Sequence, residues 1–278
     1  MARLHTPASI AALLDAYGLR PSKALGQHFL ADPNTARRIV ALAEVGPRAR
    51  VVEVGPGLGS LTVALCDAGA SVLAVERDRH IVGALEAVVD GLPVEIVVAD
   101  ALTVDWVALL GDGPWSMVAN LPYNVATPLV VECLERAPMI DQFLVMVQRE
   151  VGERLAARPG TKAYGAVSVK VAYYGDATVV GHVPATVFVP QPNVESALVR
   201  IVRHREPPVA VPDTARFFAL VRAGFATRRK MLRRALAPVL DNDAPAVLER
   251  AGIDAGARAE QLSLEQWAAI ARAADGRE

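Results

Sequence analysis

Arg50-Val51-Val52-Glu53-Val54-Gly55-Pro56-Gly57-Leu58-Gly59 is the stretch that decides the fold. Its first five residues are dominated by β-branched side chains and read as a buried strand. The glycines after it read as a tight turn opening a helix near Ser60. The same rhythm repeats outward. Ser71–Glu76 and residues 94–99, 116–120 and 143–147 are Val-rich runs, apolar on both faces. Residues 60–68, 81–89, 128–136 and 149–157 carry helix-compatible patterns. Such alternation predicts an α/β fold with a doubly wound, mostly parallel sheet and helices on both faces.

Beyond residue 158 the rhythm changes. Pro159-Gly160 breaks the chain, and residues 163–173 read as a helix. Residues 178–183 and 197–202 read as strands joined by a Pro-rich loop, an antiparallel addition to the sheet edge. Residues 206–212 hold three prolines and read as a linker. The rest is Ala-, Leu- and Arg-rich with helical spacing. The expected organisation is a large domain over 1–205, a linker over 206–212 and a small all-helical domain over 213–278. A chain of 278 residues can bury a core in each, and 53% hydrophobic with 21% charged residues argues against disorder. Cys66 and Cys133 lack partners at metal-ligand spacing, so reduced thiols and no metal are expected. No basic start with an apolar segment and no 18-residue apolar run is present, which leads to the expectation of a cytoplasmic protein without a membrane segment. Nothing suggests a coiled coil or apolar seam, and a monomer is expected.

The glycine loop follows a strand with spacing G-x-G-x-G, not the G-x-G-x-x-G of dinucleotide sites. Pro56 removes one N–H, which suits a pyrophosphate cradle poorly. A phosphate-free nucleoside cofactor, S-adenosylmethionine, loses nothing by that, and Gly55 and Gly57 would let the backbone approach it. Glu76 ends the second strand, where a carboxylate can accept both ribose hydroxyls; a solvated strand-end charge is the plain alternative. Asp100 ends the third, where a carboxylate can accept an adenine amine. All three features fall at carboxyl ends of successive strands, the rim where open α/β sheets bind ligands.

Asn120-Leu121-Pro122-Tyr123 follows the fourth strand. An amine on a base is a weak nucleophile because its lone pair is delocalised into the ring. The Asn120 side-chain oxygen and the Leu121 carbonyl can accept its two hydrogens and turn the nitrogen toward sp³. Pro122 fixes the turn, and Tyr123 can stack on an extruded base. An ordinary strand-to-turn exit is the alternative. Phe188, between prolines, has two equal readings: a second ring against the base, or a plug in the core.

Leu25-Gly26-Gln27-His28-Phe29-Leu30, residues 53–59, Asn120-Leu121-Pro122-Tyr123-Asn124, Tyr164-Gly165 and residues 188–196 are collinear with one family. The chain resembles the bacterial small-subunit ribosomal RNA adenine dimethyltransferases, the kasugamycin-sensitivity methylases, from about Arg20 to the last helices. The resemblance implies a Rossmann-like class I methyltransferase sheet followed by a small helical domain. It implies dimethylation of two adjacent adenosines in a hairpin loop near the 3′ end of 16S rRNA, on the small subunit or its precursor. Carried over by position, the cofactor contacts are His28, Leu30, Gly55, Glu76, Asp100 and Asn120. The family pattern reads G-Q-N-F-L, and here the third residue is His28, which still offers ring nitrogens. Gln27 would help close the N-terminal segment over the cofactor.

A net charge of −1 means that an RNA partner needs a local basic patch. Residues 215–236 hold Arg216, Arg222, Arg228, Arg229, Lys230, Arg233 and Arg234 and no acid. On one continuous helix, the pairs 229/233 and 230/234 would form two adjoining basic rows for RNA phosphates. Arg20 and Lys23 make a second, smaller basic site. The rival readings are a macrolide-resistance-type large-subunit methylase, an assembly factor acting by RNA binding, and a dinucleotide-dependent dehydrogenase, the last disfavoured by Pro56.

Overall fold

The computed structural model describes residues 5–22, 25–227 and 230–276. In chain order the elements are α1 (Pro7–Ala16), β1 (Phe29–Leu30), α2 (Pro33–Ala43), β2 (Arg50–Val54), α3 (Ser60–Asp67), β3 (Ser71–Glu76), α4 (Arg79–Val89), β4 (Val94–Val98), α5 (Trp106–Leu110), β5 (Trp115–Asn120), α6 (Ala126–Arg136), β6 (Ile140–Gln148), α7 (Arg149–Leu155), α8 (Ala166–Tyr174), β7 (Gly175–Val183), β8 (Phe188–Val189), β9 (Ser196–Arg203), α9 (Thr214–Ala226), α10 (Leu232–Ala235), α11 (Ala244–Arg250) and α12 (Leu264–Ala274).

The chain divides into two compact units. The first runs to Gly152 and resumes over Ala177–Arg203. Its seven-stranded sheet has the order β4-β3-β2-β5-β6-β9-β7. Neighbours from β4 to β6 are parallel, and β9 joins β6 antiparallel, Gln148 opposite Ser196. The sheet is covered on both faces. Val51, Val118, Leu144 and Met146 share a buried cluster with Ile39 of α2 and Leu65 of α3. Their strand neighbours Val52, Met117, Phe143 and Val145 point to the opposite face and are buried as well. This is the doubly wound sheet expected, with the antiparallel addition at one edge.

The segments that carry the site are held by local chemistry. Asp78 caps α4 by accepting from the His80 N–H (3.0 Å), and Asp32 caps α2 by accepting from the Thr35 N–H (2.8 Å). Gly55, Gly57 and Gly59 between β2 and α3 all have positive φ, 69°, 59° and 83°. The Gly55 N–H donates to the Val75 carbonyl at 2.9 Å, stitching the loop to β3. β1 and β8 form a separate antiparallel pair, Leu30 opposite Phe188 and Phe29 opposite Val189. Two residues per strand are too few for a periodic signal, and the sequence pattern did not foretell this pair.

The second unit comprises Glu153–Asp176 and the chain from His204 onward. This differs from the expected boundaries, because residues 153–176 leave the large domain. The reason is packing: Tyr164 and Tyr173 join Phe217, Phe218 and Trp267 in one buried cluster. The Tyr164 hydroxyl donates to the Leu262 carbonyl at 3.0 Å. Residues 206–212 are irregular, but they belong to the second unit and do not join two domains, with Val209 in its buried cluster. The helical character of the C-terminal region is as expected. A second correction concerns the basic run. α9 ends at Ala226 and α10 begins at Leu232, with the Lys230 N–H turned back to the Thr227 carbonyl at 2.8 Å. Lys230 therefore lies between the two helices and shares no continuous helix with Arg234, so the 230/234 row does not form; Arg229 of the other row lies outside the described residues.

Candidate active site

The glycine loop and the carboxyl ends of β3, β4 and β5 converge on one rim. Three adjoining clefts lie along it among the described residues. The first is lined by Val75, Glu76, Asp100, Leu102, Pro122 and Val125. The second lies over the glycine loop, between Phe29, Leu30, Glu53, Gly57, Asn120 and Tyr123, and is the smallest of the three at about 50 Å³. The third, about 540 Å³, is bounded by Gln27, His28, Tyr123, Gln148, Pro190 and Asn193. Gly55 and Pro122 line both the first and the second, whereas His28 and Tyr123 line both the second and the third.

At the first cleft Glu76 is only 6% exposed. It accepts from the Asp78 N–H at 2.8 Å on one oxygen and from the Gly57 N–H at 3.3 Å on the other. Burial pushes its carboxyl above the usual range, and these backbone donors pull against that. Such a carboxylate is fixed in place and retains lone pairs for a ligand. Asp100 accepts from the Leu102 N–H (3.0 Å) and pairs with Arg77 at 3.2 Å. Both acids therefore sit at the predicted rim with oriented carboxylates.

The second cleft is a cradle that only glycine permits. A Cβ on Gly57 would lie 3.0 Å from the Phe29 ring, and one on Gly55 would lie 3.3 Å from Pro122. Leu30 is buried, and its carbonyl accepts from the Ser60 hydroxyl at 2.5 Å. Glu53 lies beneath this loop, 1% exposed, and accepts from the Thr62 hydroxyl at 2.6 Å. Burial raises its carboxyl to about 8. Sequence reasoning gave Glu53 no role, although an acid inside an otherwise apolar strand was a visible signal. The cradle, the oriented Glu76 and the neighbouring Asp100 fit a phosphate-free nucleoside with an amino-acid tail.

Asn120 stands where the clefts meet. Its Nδ2 donates to the His28 carbonyl at 3.2 Å. A carbonyl only accepts, so this bond fixes which way the amide faces and turns Oδ1 away from it. Leu121 is buried, and its N–H donates to the Met146 carbonyl at 3.0 Å. The Tyr123 hydroxyl shares a 2.7 Å hydrogen bond with the Ser196 hydroxyl, a partner the sequence reading did not single out. Gln27 bridges the N-terminal segment to the cofactor side: it accepts from the Ser22 N–H and donates to Asp78, both at 2.7 Å.

Two expected residues sit differently. Phe188 is 3% exposed and belongs to the apolar cluster of Leu30, Leu61 and Val183. Of its two readings the structure takes the core plug, because pairing opposite Leu30 places the residue at that interior. The ring beside Tyr123 is instead that of His28, with centroids 5.5 Å apart and planes 29° from parallel. The His28 ring, expected as a cofactor contact, is occupied by this stack and by a 2.7 Å hydrogen bond from Nδ1 to the Pro190 carbonyl.

The chain matches the family model described as "Ribosomal RNA adenine dimethylase" over residues 19–275. It belongs to that family. It is accordingly an S-adenosylmethionine-dependent rRNA adenine dimethyltransferase. Proteins named ribosomal RNA small subunit methyltransferase A from Streptomyces griseus and Cutibacterium acnes are 49% and 47% identical to it. The alignments cover 95% and 97% of this chain and 93% and 94% of theirs. Among solved structures, the 23S rRNA methyltransferase ErmE superposes with a TM-score of 0.69 at 28% identity, over 89% of this chain and 99% of that one. A dimethyladenosine transferase from Plasmodium falciparum shares the fold, with a TM-score of 0.75 at 22% identity over 87% and 96%.

Of the residues expected to bind RNA, Arg20, Arg222, Lys230, Arg233 and Arg234 are exposed. Lys23, Arg228 and Arg229 lie outside the described residues. Arg216 is engaged at the end of α12, donating to the Ala274 carbonyl (3.0 Å) and lying 3.6 Å from Asp275. Among the described residues no group of His, Cys, Asp and Glu suits a metal ion, and no helix is long and apolar enough to cross a membrane.

Proposed function

We propose that this chain dimethylates N6 of two adjacent adenosines in a hairpin loop near the 3′ end of 16S rRNA, acting in the cytoplasm on the small subunit or its precursor. The observation that carries the reading is the fixed Asn120 amide at the junction of the clefts. With Nδ2 committed to His28, Oδ1 is free to accept one hydrogen of the adenine amine, and the Leu121 carbonyl accepts the other. The nitrogen lone pair is thereby aimed at the cofactor side, and positioning supplies most of the rate enhancement. S-adenosylmethionine supplies a methyl group on a sulfonium, an electrophile that needs no metal. Glu76 and Asp100 hold its nucleoside, and Gly55, Gly57, Leu30 and His28 line the tail. Tyr123 stacks on the extruded base. Arg20, Arg222, Lys230, Arg233 and Arg234 contact phosphates and place the RNA without reading its sequence.

The small-subunit assignment is supported by the relatives at 47–49% identity, all named for that subunit, against 28% for the 23S enzyme. The test is transfer of labelled methyl groups to small and to large subunits lacking the modification. Label confined to adjacent adenosines of small-subunit RNA, lost in Asn120→Ala, is expected. Label in large-subunit RNA would move the assignment to the other class.

A further inference from the structure

We infer that His28 is a positioning residue for the acceptor adenine, acting through Asn120, Tyr123 and the Pro190 loop, and that its working group is the Nδ1–H donor. The inference rests on the reading of Asn120 and Tyr123 as the acceptor site. Three contacts converge on this residue. Its carbonyl accepts from Asn120 Nδ2 at 3.2 Å, which fixes the face that Oδ1 presents. Its ring stands 5.5 Å from that of Tyr123. Its Nδ1 lies 2.7 Å from the Pro190 carbonyl, which can only accept, so Nδ1 carries the hydrogen.

The flanking residues face the cofactor side. Gln27 donates to Asp78 at 2.7 Å, two residues beyond Glu76, and the Phe29 ring covers Gly57. One short segment therefore meets the cofactor clefts with its residues 27 and 29 and the acceptor groups with residue 28. The Pro190 bond is what secures the middle residue. It ties His28 across 162 positions of sequence to the loop that bounds the third cleft. Without it the ring keeps only its stack on Tyr123, and the His28 carbonyl loses a restraint that keeps it under the Asn120 amide.

Side-chain chemistry makes this testable. Asn Nδ2 stands the same number of bonds from Cα as His Nδ1, so His28→Asn keeps the donor and removes the ring. His28→Phe keeps a ring and removes the donor, and His28→Ala removes both. Small subunits lacking the modification serve as substrate, with single-turnover methyl transfer, cofactor dissociation constant and thermal midpoint measured for each variant. Loss of one neutral hydrogen bond predicts a fall of about tenfold in the transfer rate for His28→Phe and His28→Ala. The loss of rate should persist at saturating cofactor, and His28→Asn should recover most of it. If His28→Ala proves too unstable to assay, the Asn and Phe variants decide. Equal rates for His28→Phe and the parent, or a loss carried wholly by cofactor affinity, would overturn the inference. Loss of methylation in the parent protein itself would count against the functional reading instead.

Discussion

Replacing Gly57 by Ala perturbs the cofactor cradle at one atom. Gly57 has φ of 59°, where an L-residue with a Cβ pays roughly 1–2 kcal/mol. The new Cβ would meet the Phe29 ring at 3.0 and 3.2 Å. Phe29 is buried, and its strand is paired to β8, so the ring has little room to yield. Overpacking of this kind costs about 1–3 kcal/mol. The sum, roughly 2–5 kcal/mol, corresponds to a fall in thermal midpoint of at least about 4 °C. The loop also carries the Gly57 N–H that holds Glu76, and its displacement should weaken S-adenosylhomocysteine binding at least about tenfold. Gly91→Ala is the control: φ is 73°, yet a Cβ there meets nothing within 4 Å. It should lose stability through backbone strain alone and keep its affinity. Differential scanning calorimetry and titration calorimetry measure both quantities. If Gly57→Ala binds as tightly as Gly91→Ala, the loop is not the cofactor cradle.

Two further outcomes follow from the acceptor and RNA surfaces. Tyr123→Phe removes the hydrogen bond to Ser196 but keeps the ring, so steady-state methylation should drop only about two- to tenfold, whereas Tyr123→Ala, without base stacking, should lose about 5- to 150-fold. Arg233→Ala with Arg234→Ala should raise the KM for small subunits and flatten the dependence of log affinity on log salt by about 1 per phosphate contact removed, without changing which adenosines are labelled.

How much of this was legible in the sequence depended on the range of the interaction. β2, β3 and β5 were readable because runs such as Val51-Val52 and Val72-Leu73 fit strands covered on both faces. Their ends placed Gly55, Glu76 and Asn120 on one rim without any knowledge of packing, as did Asp100 beyond β4. What escaped was set by distant partners. Asn120 is oriented by a carbonyl 92 positions away. Phe188 is turned inward by pairing with Leu30 across the chain. Residues 153–176 have ordinary helix and strand patterns, and only the meeting of Tyr173 with Phe217 and Phe218 reveals which unit they join. The break between α9 and α10 falls in a run without Gly or Pro, so no local signal marks it.

The two buried acids give the rim a proton-linked character. Glu53 is raised to about 8 by burial, helped by the charge of Glu76, which is itself raised by burial. For stability the sign is plain. A carboxyl whose folded pKa exceeds its unfolded value stabilises fully below about 4.5, and that contribution is lost as pH rises to about 8. Glu53→Gln, permanently neutral and still able to accept from Thr62, should match the parent near pH 4.5, gain on it progressively above that, and be the more stable by pH 9. For binding the sign reverses. A cationic ligand favours the ionised carboxylate, so binding near Glu53 at pH 7 releases up to about one proton, and affinity rises with pH through about 8. Titration calorimetry with S-adenosylmethionine in buffers of different ionisation enthalpy counts that proton. S-adenosylhomocysteine, which lacks the sulfonium charge, should release less, and Glu53→Gln should lose the release assigned to this carboxyl. Undiminished release in Glu53→Gln would show that another group supplies the proton and would refute the linkage.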